Sequence, residues 1–351
     1  MRIWDAVVIG AGQAGLSAAH HLVQRNVDTL VLDANPAPGG AWQHRWDSLT
    51  MDDVHGVADL PGAVAPPRGR SRANEAVPTY FADYERTQGL VVQRPVRVDR
   101  VESDGELLRV EAGGQSWLTR TLVNATGTWD RPFVPRYPGQ ETFAGEQLHT
   151  VDYPGAAHFA GKRVVVVGGG ASAVQFLGEI APLTETLWVT RREPVWIDHF
   201  DGEAGHRAVA KVQERVLAGL PPQSVVSVTG LHLRPQEQRA AELGAYRRRP
   251  MFTSIERDGV RMADGTFEPA DVILWATGFR AAVTHLAPLH LRSPEGGIRL
   301  EAIPGAGQTP TQSAVDPRVQ LVGFGPSAST IGANRAGRAA AIAVVRQLRQ
   351  A

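Results

Sequence analysis

The stretch AVVIGAGQAGLSAAHHL, residues 6–22, decides the fold. Four apolar residues run straight into Gly10-Ala11-Gly12-Gln13-Ala14-Gly15 and then into an Ala/Leu-rich segment. A short uninterrupted apolar run bounded by glycine reads as a strand buried on both faces, and the Ala/Leu-rich segment has a helix's composition. The glycines have separate tasks. The first permits a tight turn, the second lets a pyrophosphate approach the backbone, and the third lets helix and strand pack closely. The helix N-terminus then offers free N–H groups and the positive end of its dipole. Asp5 interrupts the apolar approach, so the segment reads as a first strand and helix and not as a secretory leader.

A single turn of this kind identifies little, but the chain carries it twice. VVVVG at 164–168 enters Gly168-Gly169-Gly170-Ala171-Ser172-Ala173 and a second helical segment. Each unit closes much later on an apolar strand ending in Ala-Thr-Gly, LVNATG at 122–127 and VILWATG at 272–278. The separations from Gly10 to Gly127 and from Gly168 to Gly278 are nearly matched. Two such units specify an α/β fold with two Rossmann-like, dinucleotide-binding halves of the glutathione-reductase type. Residues 91–118 alternate like a small antiparallel β insert, and RVQLVGFG at 318–325 reads as one more buried strand before a terminal helix. The expected boundaries are 1–150 for the first domain, 151–281 for the second, and 282–351 for a return to the first.

The end of each unit's second strand distinguishes the ligands. DTLVLD ends on Asp33, where a carboxylate accepts hydrogen bonds from ribose hydroxyls and suits the adenosine of FAD. TLWVT is followed by Arg191 and Arg192, whose guanidinium groups match a 2'-phosphate and favour NADPH; a solvated charge pair is the alternative. The run Arg247-Arg248-Arg249 reads as a solvated face, with assistance to the NADPH phosphates as the alternative.

Composition narrows the classes. Lys plus Arg and Asp plus Glu are both 36, so charge gives no argument for nucleic acid or an anionic membrane. The chain has no cysteine, which excludes disulfides, thiolate metal sites and a redox dithiol. The histidines, among them His20, His21, His285 and His290, lack metal-ligand spacing, and no metal is expected. No stretch reaches the ~18 consecutive apolar residues of a membrane span, and a cytoplasmic protein, open to assembly as a homodimer, is expected.

These motifs, with Gly39-Gly40-Ala41-Trp42 and the run FAGEQLHTVDYP at 143–154, resemble the class B flavoprotein monooxygenases, which comprise flavin-containing and Baeyer-Villiger monooxygenases. The resemblance spans essentially the whole chain. It implies that NADPH reduces FAD, that oxygen adds to give a C4a-peroxyflavin, and that one oxygen atom passes to a small soft nucleophile, a sulfide or amine. Ketone oxygenation is the alternative, supported by Arg192-Glu-Pro-Val-Trp196. A flavin NAD(P)H oxidase or ferredoxin-type reductase shares both turns but not the 143–153 motif, and a dinucleotide sensor without turnover has no feature in its favour.

Carried over residue by residue, the resemblance assigns FAD to Gly10, Gly12, Gln13, Ala14, Gly15, Asp33, Ala34, Gly40, Ala41, Trp42, Val96, Thr126 and Gly127. It assigns NADPH to Gly168, Gly170, Ala171, Ser172, Ala173, Arg191, Arg192, Thr277 and Gly278. The candidates nearest the chemistry are His149, Tyr153 and Asp52. Asp52 stands where the simpler enzymes place an Asn, with Asp53 and His55 beside it, and a carboxylate donates no hydrogen bond unless protonated. His149 is expected to tether or hinge the crossing between domains and not to move protons.

Overall fold

The computed structural model describes residues 2–54, 57–197, 202–223 and 230–350. In chain order the strands are β1 (Ile3–Ile9), β2 (Thr29–Leu32), β3 (Val92–Gln93), β4 (Arg100–Asp104), β5 (Leu107–Ala112), β6 (Gln115–Asn124), β7 (Glu146–His149), β8 (Val164–Val167) and β9 (Thr186–Thr190). They continue as β10 (Arg249–Pro250), β11 (Phe252–Glu256), β12 (Gly259–Met262), β13 (Phe267–Pro269), β14 (Val272–Trp275), β15 (Leu300–Glu301), β16 (Gln312–Ser313) and β17 (Val319–Leu321). The helices are α1 (Gln13–Val23), α2 (Ala73–Thr87), α3 (Ala171–Ile180), α4 (Gly202–Leu217), α5 (Gln238–Glu242) and α6 (Thr330–Leu348).

The chain divides into two compact units, one of Met1–Asp130, Arg207–Val225 and Ala281–Ala351, the other of Arg131–His206 and Val226–Arg280. In the first unit nine strands form a mixed sheet in the order β15-β16-β17-β6-β1-β2-β3, with β5 beside β6 and β4 beside β5. Its centre is parallel: β1 pairs with both β2 and β6, and β6 with β17. That is why Ala6, Val7 and Val8 are wholly buried: α1 packs against β1, and Val7 clusters with Val101, Leu108 and Val110 of β4 and β5. Each such Val removed from water contributes about 1.5–3 kcal/mol. The insert is the antiparallel β4-β5-β6 meander. On α6, Gly337 permits close approach to α1, because a Cβ there would stand 2.5 Å from Ser17 Oγ.

In the second unit β10-β9-β8-β14-β7 form a parallel sheet, and β11-β12-β13 a separate antiparallel one. The break between units falls at 130/131, earlier than the expected 150, because β7 completes the second sheet. Glu146 through His149 register with Val272 through Trp275, so the backbone ladder of β14 is paired on both sides. The 143–154 stretch is therefore part of the second unit and not a free crossing. A second difference is α4, whose Val212 and Val216 are fully buried; Val216 joins Leu286, Leu321 and Phe324 in the core of the first unit.

Candidate dinucleotide and flavin site

Three strand ends of the first unit converge. Gly10 (φ +100°) turns the chain out of β1, and a Cβ on it would meet Ala125 O at 2.6 Å. Gly15 admits no Cβ either, since the atom would lie 1.9 Å from Gly10 O. Gly12 is the opposite case: it is the N-cap of α1, no side chain caps that end, and the space where its Cβ would stand is open. Uncapped N–H groups beside an open glycine are what a diphosphate needs. Gln13 adds an unpartnered buried acceptor, Oε1, while its Nε2 donates to Ala58 O. Gly40 (φ +50°) presses on this turn, its Cβ position 2.9 Å from Gly12 Cα, and Gly39 (φ +127°) backs onto Pro78 of α2. Gly323, just past the end of β17, stands outside the residues that the sequence assigned to FAD. It has φ +65°, and a Cβ on it would stand 3.5 Å from Ala14 Cβ and 3.9 Å from Gly127 Cα.

Asp33 is buried at 3% exposure and accepts Ala11 N–H at 2.6 Å and Asn35 N–H at 2.8 Å. An ionised carboxylate has about four acceptor sites. Two therefore shape the turn, Arg94 Nε stands at 3.9 Å from Oδ1, and acceptor capacity remains for ribose. Val96 N–H donates to Asp33 O at 2.8 Å, which sets Val96 beside Asp33 and Ala34. The residues present fit the adenosine diphosphate half of FAD. Ala41 and Trp42 sit on the 3-10 turn Gly40–His44.

The second unit repeats the plan with altered parts. Gly168 has φ +142°, Gly170 caps α3 without a side-chain cap and with open space at its Cβ position, and Ala171 and Ser172 form the first turn. Ala173 is fully buried where the first turn has Gly15. Arg191 and Arg192 are exposed just past β9, and neither makes an ion pair among the described residues. Of the run 247–249, Arg247 is exposed as expected, whereas Arg248 pairs with Glu193 at 3.1 Å and Arg249 pairs with Glu268 and Asp264.

The two Ala-Thr-Gly turns are tied alike. Thr126 Oγ1 donates to Ala282 O, and Thr277 Oγ1 donates to Phe133 O. Gly127 and Gly278 both have positive φ and open Cβ space. A histidine attends each. His285 donates from Nε2 to Asn124 Oδ1 at 2.7 Å, and burial pulls its pKa down to about 4. His149 is 4% exposed, donates from Nε2 to Gly278 O at 3.0 Å, and accepts Val151 N–H at Nδ1. Burial lowers its pKa below the usual 6.5, against the raising effect of the Gly278 bond, so both nitrogens are occupied in the neutral form.

The remaining members of the 143–153 motif are equally fixed inside the second unit. Phe143 lies in the core with Ile255 and Trp275. Gly145 is required by close approach, since a Cβ would fall 2.4 Å from Asp271 O. Tyr153 donates its hydroxyl to Glu179 of α3 at 2.9 Å and stacks on Phe176 with centroids 4.2 Å apart. Burial first, then Glu179, drives that phenol's pKa up, which keeps it protonated. Asp52 is exposed on its loop, held through its backbone by Gly69 and Arg68, whereas Asp53 accepts from Thr50. His55 lies outside the described residues.

Residues 7–206 match the pyridine nucleotide-disulphide oxidoreductase family. A solved structure of a flavin-containing monooxygenase from Stenotrophomonas maltophilia is 37% identical, covers 99% of each chain and superposes with a TM-score of 0.83. Indole-3-pyruvate monooxygenase YUCCA1 of Oryza sativa subsp. japonica is 28% identical over 324 residues, 79% of this chain and 77% of that protein. A Baeyer-Villiger monooxygenase of Streptomyces coelicolor is 31% identical over 200 residues, 54% of this chain but 38% of that protein.

Proposed function

This chain belongs to the pyridine nucleotide-disulphide oxidoreductase family and, within it, to the flavin-containing monooxygenases, and from that premise we propose that it oxygenates a small soft nucleophile, a sulfide or an amine. It is a flavin-dependent monooxygenase using FAD and NADPH. The observation that carries the cofactor assignment to residues is the pair of uncapped helix N-termini, at Gly12 and Gly170, each beside open space. When bound, reduced flavin activates oxygen and supplies one atom of it to the substrate.

The chain's own residues bind and orient. In this reading Gly10, Gly12, Gly15 and Asp33 seat the FAD diphosphate and ribose, with Gln13, Ala14, Ala34, Gly40, Ala41, Trp42, Val96, Thr126 and Gly127 around them. Gly168, Gly170, Ala171, Ser172 and Ala173 seat the NADPH diphosphate, Arg191 and Arg192 its 2'-phosphate, and Thr277 and Gly278 line the coenzyme. His149 holds Gly278 and moves no proton, and Tyr153 braces α3 through Glu179. Asp52, exposed and with its carboxylate unengaged among the described residues, is the substrate-side candidate. Support for the sulfide or amine class comes from extent of similarity: the flavin-containing monooxygenase matches end to end at 37% identity, whereas the Baeyer-Villiger relative aligns over 54% of this chain.

Ketone oxygenation is the second reading. It is favoured by the Arg192-to-Trp196 run, whose Trp196 packs edge-on against Trp188 and Tyr246. NADPH consumption with product analysis, using thioanisole and a cyclic ketone in parallel, decides between the two. Sulfoxide without lactone is the expected outcome. Stoichiometric hydrogen peroxide with neither product defeats both.

A further inference from the structure

Arg45 is a cation without a counter-ion among the described residues. It closes the 3-10 turn Gly40–His44, the turn whose Gly40 presses on Gly12. Its guanidinium carbon lies 4.2 Å from the ring centroid of Trp129 and 5.5 Å from that of Trp42. Nε is buried and has no hydrogen-bond partner, and among the described residues no carboxylate lies within ion-pair distance of the group. Burial pulls its pKa down to about 10, which leaves it charged at neutral pH. Nearby His44, the other polar side chain at the end of the turn, is engaged with Asn35 Oδ1 at 2.7 Å and stacked parallel to Trp129.

Partial burial of an unpaired charge is costly, and the two indole faces offset that cost only in part. A chain that accepts this cost has a use for the charge. The diphosphate of the cofactor already has a receptor in the uncapped N-terminus of α1. Arg45 is the charge left over, and its planar fork suits a planar bidentate acceptor better than a spherical one.

We propose that Arg45 is the receptor for a carboxylate on the substrate, so that the preferred substrates are acids that carry the soft nucleophile on an apolar, preferably aromatic, body able to lie against Trp42 or Trp129. This inference rests on the monooxygenase reading for the nucleophile but not for the carboxylate. The two are separable by a binding measurement that involves no turnover.

Oxidised, FAD-loaded enzyme is titrated with 4-(methylthio)benzoate and with its neutral isostere 4-(methylthio)benzamide, followed by perturbation of the flavin absorbance and by calorimetry. The wild type should bind the acid at least about tenfold more tightly, the value of one charge-assisted pair. Arg45→Gln should bring the two probes within about twofold of each other, and Arg45→Lys should leave part of the preference. FAD affinity, read by flavin fluorescence on reconstituting apoenzyme, should stay within about twofold of wild type. Equal binding of the two probes by the wild type overturns the proposal, as does binding of neither at millimolar concentration. A tenfold loss of FAD affinity in Arg45→Gln, with the acid preference intact, also overturns it and reassigns Arg45 to the cofactor diphosphate. Should Arg45→Gln fail to fold, a wild-type preference that Arg45→Lys leaves undiminished overturns it equally. Success of the titration in an enzyme that oxygenates neither thioanisole nor ketone would separate the carboxylate site from the reaction assigned above.

Discussion

The first and second glycine turns answer the same problem with different tolerances. In the first, Gly10 O points at the third glycine, and a methyl on Gly15 would lie 1.9 Å away. In the second, Gly168 O accepts the indole N–H of Trp188 at 2.7 Å, and Ala173 fits, fully buried, where the third glycine would be. The acid and base at the strand ends differ in the same sense. Asp33 is buried and built into its turn, whereas Arg191 and Arg192 stand in solvent. In the reading proposed above, the first turn seats FAD with its acid built into the turn, and the second seats NADPH with its bases left in solvent.

Exchange of the third residue tests this contrast most severely. Gly15→Ala should yield protein without retained flavin, measured as flavin absorbance per polypeptide after desalting. Ala173→Gly should keep coenzyme binding and lower stability by only about 1 kcal/mol, the helix-interior difference between the two residues. Next in size is Asp33→Ala, which removes the bond to Ala11 N–H and the ribose acceptor together. FAD affinity should fall by well over tenfold on the scale of about 1.5–3 kcal/mol per charged hydrogen bond. Retained affinity would show that Asp33 is replaceable and the glycines alone make the seat.

At the second turn the effect is selective. Arg191→Ala with Arg192→Ala should reduce the preference for NADPH over NADH by at least about tenfold while FAD stays bound; an unchanged ratio of kcat/KM values removes the 2'-phosphate assignment. His149→Gln, which weakens the hold on Gly278, should slow flavin reduction by NADPH in stopped flow with flavin content unchanged. Loss of FAD instead would place its role in the first unit.

The smallest effect is the acid limb of stability. His149 and His285 both have folded pKa values below the 6.5 reference, so between 6.5 and the folded value the unfolded chain binds more protons. Stability from these groups is complete above 6.5 and falls as pH is lowered; for His285 the window runs down to about 4. Thermal melts across that range should show a shallower decline in His285→Gln than in the wild type.

Much of this was readable in the sequence because it rests on glycine and apolar periodicity. β1, β8, the two Ala-Thr-Gly strands and the β4-β6 insert all stand where their patterns put them. Other features depend on tertiary partners that no local pattern names. Trp188 engages the Gly168 carbonyl, whose counterpart in the first turn faces the third glycine. The open edge of β14 draws β7 into the second sheet. Val212 and Val216, one helical turn apart, signal a buried face on α4 but not which core receives it. Arg45 was legible only as one arginine among many, since its lack of an acid partner is a fact of three dimensions. Phe143, Gly145, His149 and Tyr153 are each fixed by a separate packing or hydrogen-bonding demand that the spacing alone does not name.

The membership of α4 has a consequence for protein engineering. Because the first unit comprises three segments and the second two, a graft of the coenzyme-binding unit from one relative into another must be joined at four places, not two. A transplant cut only at 130/131 and 280/281 would carry Val212 and Val216 with it and import part of a foreign core for the recipient's flavin unit. Recombination between relatives should therefore favour crossovers that keep residues 207–225 with the flavin-binding parent.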